Sequence, residues 1–271
     1  MVLLAAVAAG AIVPAARRES KTAIVPAARR AKTAAHAAPT ADWSAYGSLP
    51  ASPPPALRIG RVAPLASDRH LSRWTSVRLA TAARMAPRPD APVVARLAAT
   101  APEGTANALA VVRSATGSDG RVWVQARLPV LPNGTVGWLP RRSLGGYETV
   151  RTHLVVDIER LRATLYNDGR VVQRSPVAVG MPGWETPRGD FYVRNRLTRY
   201  RSLVYGPIAF GTSARSPRAT DWPAGGFIGI HGTDQPDLIP GRVSHGCIRM
   251  RNADILALAR RLPVGTPLTI R

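Results

Sequence analysis

The chain reads IHGT at residues 230–233 and SHGCIRM at residues 244–250. These two runs contain the one cysteine of the chain and two of its five histidines, and Cys247 follows His231 by sixteen positions. A thiol and an imidazole this close in sequence, each beside small residues, are the parts of a nucleophile and its base. A sharp turn at Gly246 would let its N–H and the N–H of Cys247 point at one oxygen. The stretch therefore predicts a cysteine nucleophile with an oxyanion hole built from main chain.

Other chemistries remain open for the same residues. Cys247, His231 and His245 are suitable zinc ligands, although the chain has no second cysteine and no pair of ligands at short spacing. We therefore expect neither a metal nor a cofactor. A papain-like peptidase is a further alternative, but that group usually places its cysteine well before its histidine, and here the order is reversed. In a non-catalytic binding module the thiol would simply be idle.

The composition is strongly basic, with 37 Lys and Arg against 16 Asp and Glu and a formal net charge of +21. Nearly all of the cations are arginines, and they are spread along the whole chain. A specific nucleic-acid site requires a localised basic stripe or a known motif, and the sequence has neither. We expect a solvated arginine-rich surface with a weak attraction to anionic polymers of the cell envelope.

The first 56 residues are expected to form a flexible tail rich in Ala, Arg and Pro. Residues 1–16 are apolar like the core of a secretory signal, but no basic segment precedes them, and they are too short to predict a stable membrane span. The run AIVPAARR occurs at residues 11–18 and again at residues 23–30. Two copies are too few for a repeat architecture. We expect an exported protein that is secreted, or periplasmic and facing the cell wall.

Residues 60–147 alternate short β-type runs with turn residues, which is typical of a small barrel. The runs DGRVWV at residues 119–124 and NGTVGWLP at residues 133–140 resemble bacterial SH3-like domains. Trp123 and Trp138 in these runs are candidates either for the barrel core or for stacking on a ligand.

Residues 148–271 begin with antiparallel β-type runs and end with a short helix over residues 252–261 and a closing strand at residues 267–270. The fold class expected for the whole chain is mainly β. With its histidine, spacer and Ser-His-Gly-Cys run, this segment resembles the L,D-transpeptidase (YkuD-type) catalytic domain, and TPRG at residues 186–189 resembles a second, looser motif of that family. The resemblance covers about 120 residues.

The family resemblance implies roles for the site residues. Cys247 would be the nucleophile, His231 the base, and Gly246 with His245 would help to hold the oxyanion. Ser244 would shape the turn and line the site.

Two positions differ from other members of the family. Gly232 stands where some members carry Ser or Thr, so a backbone carbonyl must orient His231, and Gly232 leaves room for a substrate backbone. Arg249 replaces an asparagine, and either binds a substrate carboxylate or forms a structural salt bridge.

The resemblance also implies the substrate, which is the tetrapeptide stem of bacterial peptidoglycan. The terminal D-Ala would leave, and a side-chain amine of a second stem would attack the acyl-thioester to give a 3→3 cross-link. Attack by water would instead make the protein an L,D-carboxypeptidase. The remaining alternative is a non-catalytic protein that binds the cell wall through its SH3-like segment.

Overall fold

The structure is a computed structural model that describes residues 63–64, 70–117, 120–200, 202–218 and 225–271. The predicted tail over residues 1–56 lies outside the described residues, as does Asp119, whose Asp-Gly pair with Gly120 is typical of a hairpin turn. The described chain is mainly β, with a single α-helix, which confirms the predicted fold class. The described residues all belong to one compact unit.

The first sheet has eight strands and lies in the amino-terminal part of this unit. Its strands are β1 (Ala63–Pro64), β2 (Ser72–Ser76), β3 (Thr81–Arg84), β4 (Val93–Leu97), β5 (Ala108–Thr116), β6 (Val122–Arg127), β7 (Val136–Pro140) and β8 (Glu148–Val150). They pair in the order β4-β3-β7-β6-β5-β2-β8, and β1 also pairs with β5. The sheet extends to Val150, just beyond the segment predicted over residues 60–147.

The turns predicted in this segment lie where the chain reverses between strands. Gly134 has a φ of +85°, a conformation that glycine adopts without a steric penalty, and it lies between the antiparallel strands β6 and β7. Trp123 and Trp138 are buried and pack together with Ala115. Their positions match the core interpretation, because buried rings offer no face to a ligand.

The second sheet has ten strands, and one helix packs against it. Its strands are β9 (Thr152–Asp157), β10 (Arg162–Asn167), β11 (Arg170–Pro176), β12 (Ala178–Gly180), β13 (Gly189–Leu197), β14 (Ala209–Arg215), β15 (Phe227–His231), β16 (Gly241–Ser244), β17 (Ile248–Arg249) and β18 (Pro267–Ile270). The pairing order is β11-β10-β9-β18-β13-β14-β15-β17-β12-β16. Helix α1 (Asn252–Ala259) follows β17.

A large apolar core fills the space between this sheet and the helix. Ile255 and Leu258 of α1 are buried in it together with Phe210 of β14 and Ile230 of β15. Burial of side chains of this size is the main favourable term that holds the helix against the sheet. Because the neighbouring strand β17 begins directly after Cys247, this packing also fixes the position of the cysteine.

Polar contacts join the two sheets. The hydroxyl of Tyr192 in β13 donates to the carbonyl of Ala108 in β5 at 3.1 Å. Glu103 forms an ion pair with Arg194 in which both side chains are almost fully buried, and Asn195 donates to Oγ1 of Thr105 at 3.1 Å. These contacts hold the loop before β5 against β13.

Asn133, in the loop between β6 and β7, also reaches the second sheet. Its side-chain amide donates to the carbonyl of Arg215 and accepts from the N–H of the same residue, at 2.8 and 3.0 Å. A paired contact of this kind fixes the loop in one register against the end of β14.

Candidate active site

Two neighbouring parallel strands bring the predicted nucleophile and base together. Ile230 of β15 pairs with Ile248 of β17, and His231 pairs with Arg249. Cys247 lies immediately before β17, so its thiol meets the β15 backbone, where the N–H of Gly229 donates to Sγ at 3.3 Å. A donor at this position stabilises negative charge on the sulfur, as a thiolate nucleophile requires.

Gly229 was not singled out by the sequence motif. A glycine inside a buried strand often marks the close approach of another group, and here that group is the sulfur of Cys247. That general signal was present in the run FIGIH at residues 227–231.

His231 is buried, with an exposed fraction of 2%. Its Nδ1 lies 2.6 Å from the carbonyl oxygen of Gly232. A carbonyl can only accept a hydrogen bond, so Nδ1 carries the proton and Nε2 keeps a free lone pair. The carbonyl contact expected from the glycine at position 232 is therefore present.

The electrostatic surroundings keep this imidazole neutral. The pKa of His231 is lowered to about 4, mainly because the ring is buried; the bond to Gly232 opposes this effect, and the positive charge of Arg249 adds to it. At neutral pH the ring is therefore a base with Nε2 ready to accept a proton.

Gly232 itself is enclosed by protein. A Cβ at this position would lie 2.3 Å from Oδ1 of Asn252 and 3.0 Å from Cα of Gly206. The Asn252 oxygen is already held by the N–H of Thr233 at 2.9 Å. Glycine is thus required by packing, and the substrate contact expected at Gly232 stays a prediction.

An aromatic pair that the motif did not indicate lies beside the base. The ring of Tyr205 meets the ring of His231 edge to face, with centroids 4.7 Å apart. Tyr200 contacts Tyr205 edge to face and donates to its carbonyl at 3.2 Å. These tyrosines shield His231 from water, which contributes to its lowered pKa.

Ser244 braces the turn that carries the cysteine. Its fully buried hydroxyl donates to the carbonyl of Cys247 at 2.6 Å and accepts from the N–H of Gly246 at 3.1 Å. Gly246 has a φ of +110°, so the predicted sharp turn is formed. Its N–H donates to the Ser244 hydroxyl in this structure. The role of Gly246 as an oxyanion donor stays a prediction.

Thr186 holds the same turn from the other side. Its hydroxyl donates to the carbonyl of Gly246 at 2.8 Å and accepts from the N–H of Gly180 at 2.9 Å. The looser TPRG motif thus contributes a threonine that ties β12 to the cysteine turn.

His245 is half-buried and stacks on Trp184, with ring centroids 4.6 Å apart. Arg249 is also half-buried, and its Nε has no hydrogen-bond partner. Among the described residues, no carboxylate forms a salt bridge with Arg249. The structural salt bridge considered for it is therefore not formed in this part of the chain, and carboxylate binding stays a prediction.

A groove of about 620 Å³ adjoins the apolar cluster that contains Cys247. Ala209, Leu197, Tyr200 and Tyr205 line it and also belong to the apolar cluster that contains Cys247. Residues 103–105 of the first sheet's loop line its other wall. Its volume is sufficient for a short peptide, and Leu197, Tyr200, Tyr205 and Ala209 give it an apolar surface.

Within the described ranges of the chain, no three or more His, Cys, Asp or Glu side chains lie together as metal ligands would. In the same ranges, the single α-helix is too short to cross a bilayer.

Comparison with known proteins identifies relatives of the second sheet. Residues 151–270 match the family model described as the L,D-transpeptidase catalytic domain. The L,D-transpeptidase YkuD of Bacillus subtilis is 37% identical over 122 residues, which cover 45% of this chain and 67% of that protein. The L,D-transpeptidase ErfK/SrfK of Salmonella typhimurium is 34% identical over 145 residues, covering 45% of each protein.

A solved structure is also similar. It is the catalytic domain of the Enterococcus faecium L,D-transpeptidase, 27% identical, which covers 44% of this chain and 96% of that one with a TM-score of 0.35. The chain spans about two thirds of the Bacillus relative and just under half of the Salmonella relative.

Proposed function

This chain belongs to the L,D-transpeptidase family with a YkuD-type catalytic domain, and from that premise we propose that it joins two peptidoglycan stem peptides through an acyl-enzyme on Cys247. The acyl donor is a tetrapeptide stem that ends in D-Ala. The product carries a 3→3 cross-link between the two stems.

The first half of the proposed reaction uses Cys247 as the nucleophile and His231 as the base. Sγ attacks the carbonyl carbon that precedes the terminal D-Ala, while its proton passes to Nε2 of His231. The C–N bond then breaks, and His231 returns the proton to the departing amine of D-Ala. A thioester remains on Cys247.

One observation carries this proposal, namely the hydrogen bond from Nδ1 of His231 to the Gly232 carbonyl. It leaves Nε2 as the basic nitrogen on a ring that burial keeps neutral. A protonated ring, or the other tautomer, could not take the thiol proton.

We place the donor stem in the groove beside Cys247. Tyr200 and Tyr205 give it an apolar floor, and the exposed side chains of Arg196 and Arg199 line it. Guanidinium groups suit the carboxylates of a stem peptide. Arg249 would add positive charge near the reacting carbonyl.

The oxyanion would be held by the N–H of Cys247, assisted by His245. Ser244 acts on this donor indirectly, because it holds the turn through the carbonyl of Cys247.

We further propose that residues 60–147 form an SH3-like domain, that residues 148–271 form the catalytic domain and that the protein acts outside the cytoplasm, at the bacterial cell wall. The arginine-rich surface supports contact with anionic envelope polymers. No nucleic-acid partner is proposed.

The test is mass spectrometry of the products from purified disaccharide-tetrapeptide, with the wild type and Cys247→Ala. Dimers that lack one D-Ala, made by the wild type alone, are the expected result. Tripeptide without dimers would identify an L,D-carboxypeptidase. No product from either protein would contradict the proposed substrate.

A further inference from the structure

Residues 183–186 form a loop beside the turn that carries Cys247, here called the catalytic turn (residues 244–247), and this loop carries a carboxylate, that of Glu185. A Cβ placed on Gly246 would lie 3.6 Å from the carbonyl oxygen of Trp184 and 3.7 Å from that of Glu185. The backbone of these two residues therefore lies directly against the turn that carries Cys247. The Glu185 side chain is exposed to solvent.

This carboxylate is fixed in place and charged. The N–H of Gly183 donates to Oε1 of Glu185 at 2.8 Å. This bond is the largest cause of the lowered pKa of Glu185, and a bond from its own N–H adds to the effect. Glu185 is therefore ionised at neutral pH, with one oxygen engaged by the loop.

The negative charge of Glu185 is opposite in sign to the net charge of the molecule. The chain has 37 Lys and Arg and only 16 Asp and Glu, so a cationic substrate group is repelled by most of the surface. Arg218 is the cation that acts on Glu185 electrostatically, and its side chain already donates to the Gly183 carbonyl at 2.7 Å. A carboxylate beside the catalytic turn offers a local attraction in a repulsive surrounding.

Trp184 gives the same place an apolar surface. Its half-buried indole stacks on His245, which directly precedes Gly246. An alkyl chain that ends in an ammonium group is complementary to an indole next to a carboxylate, because the ring packs on the methylenes while the carboxylate pairs with the charge.

We propose that Glu185, beside the Trp184 ring, receives the protonated side-chain amine of the acceptor stem before it attacks the acyl-enzyme. This inference rests on the proposed function and assigns a specificity residue for its second half-reaction. The donor would then lie on the Tyr205 side of the cysteine, and the acceptor would enter along residues 183–185.

The chemistry of the second step balances with this placement. The bound ammonium releases one proton to water, and its nitrogen forms a bond with the thioester carbonyl carbon. The C–S bond breaks as the tetrahedral intermediate collapses. The second proton of the nitrogen passes through Nε2 of His231 to the departing sulfur, which restores the Cys247 thiol and leaves an amide.

The test compares the wild type with Glu185→Gln, which keeps an oxygen for the Gly183 N–H but loses the charge. Glu148→Gln, an exposed glutamate on the first sheet's strand β8, serves as the control with the same change of charge. Disaccharide-tetrapeptide is the donor and disaccharide-tripeptide, whose diamino acid carries the free amine, is the acceptor. Mass spectrometry measures the ratio of dimer to hydrolysed product.

We expect Glu185→Gln to lower this ratio about three- to fivefold, which is the size of an exposed ion pair, while Glu148→Gln leaves it unchanged. Release of D-Ala from the donor alone should stay within about twofold of the wild type. Added salt should lower the ratio for the wild type more than for Glu185→Gln, because salt screens exposed charges.

Two results would overturn the inference. The ratio could be equal in Glu185→Gln and the wild type, or D-Ala release could fall in parallel with dimer formation, as it would if Glu185 only braced its loop. A failure of the proposed function itself looks different, since either no protein would release D-Ala from the donor, or all of them, the wild type included, would release it without forming any dimer.

Discussion

At the scale of single residues, the buried base has a consequence for folding stability. His231 is neutral in the folded protein, with its pKa lowered from 6.5 to about 4. Between these two values the unfolded chain binds more protons than the folded chain, so stability rises with pH. Above pH 6.5 the ring is neutral in both states, and the titration of His231 does not reduce the unfolding free energy. As the pH falls from 6.5 towards 4, the unfolding free energy decreases by at most about 1.4 kcal/mol per pH unit.

Urea denaturation of the wild type and of His231→Asn between pH 4.5 and 7.5 checks this prediction. The variant lacks the titrating ring, so its stability should depend less steeply on pH. His153, whose pKa burial also lowers, is present in both proteins, and its effect cancels in the comparison. Equal slopes would show that His231 is not buried as a neutral base.

A second residue-scale prediction concerns Gly232. The substitution Gly232→Ser places a Cβ 2.3 Å from Oδ1 of Asn252, and the resulting overpacking should cost about 1–3 kcal/mol of unfolding free energy. Gly146→Ser is the control, because a Cβ at this exposed position has no neighbour within 4 Å. Thermal unfolding of the three proteins gives the comparison, and a stable Gly232→Ser protein would contradict the packing argument.

The sequence predicts chemistry better than orientation at this scale. The carbonyl contact to His231 could be expected, since glycine at position 232 leaves no side chain to make it. The direction of the Gly246 N–H could not be expected from the sequence, because it depends on whether the Ser244 hydroxyl turns inward. Tyr205 was also missed, since an aromatic ring 26 positions before the base has no recognisable spacing to it.

At the scale of the elements, the Thr186 hydroxyl links strand β12 to the cysteine turn. Thr186→Val keeps the shape but leaves the Gly180 N–H and the Gly246 carbonyl without their partner. A buried unpaired backbone group costs about 1–3 kcal/mol, and the loosened turn should also slow the reaction of Cys247 with iodoacetamide. Denaturation and alkylation rates measure both effects.

Thr135→Val is the comparison for this experiment, because the Thr135 hydroxyl bonds only within its own exposed turn, to the carbonyl of Pro132. Its effect should stay within about 0.5 kcal/mol, as for most surface substitutions. If both valine variants behave alike, Thr186 does not support the site.

Elements with local signals were predicted closely. The closing strand β18 has the bounds given by the sequence pattern, and α1 ends two residues before the predicted end, where Pro263 and Gly265 prevent further helix. The run SVRL at residues 76–79 has a β-type pattern, yet β2 ends at Ser76 and β3 begins at Thr81. Pairing with β5 and β8, which no local pattern encodes, decides where β2 lies.

At the scale of the whole molecule, the ion pair between Glu103 and Arg194 connects the first sheet to the catalytic one. Glu103→Gln leaves the Arg194 charge buried without its carboxylate, and such a change costs about 3–5 kcal/mol. Because residues 103–105 also line the groove, we expect the KM for the donor stem to rise more than kcat falls.

Asp90→Asn is the control for Glu103→Gln, because it breaks the exposed ion pair between Arg88 and Asp90. It should lower the unfolding free energy by less than about 1 kcal/mol. Unfolding free energies and donor kinetics of both variants provide the measurement. A Glu103→Gln protein as stable as Asp90→Asn would show that the buried pair does not hold the sheets together.

The contacts of Tyr192, Asn195 and Asn133 across the two sheets bear on how this protein could be re-engineered or could have diverged. A foreign binding module grafted in place of residues 63–150 would have to reproduce a backbone carbonyl, a hydroxyl and a carboxamide at matching positions. Without them, β13 and β14 would present unpaired polar groups at the new seam. Each sheet therefore depends on polar groups of the other. A chimaera made by recombination at a linker would lack these contacts and would be destabilised.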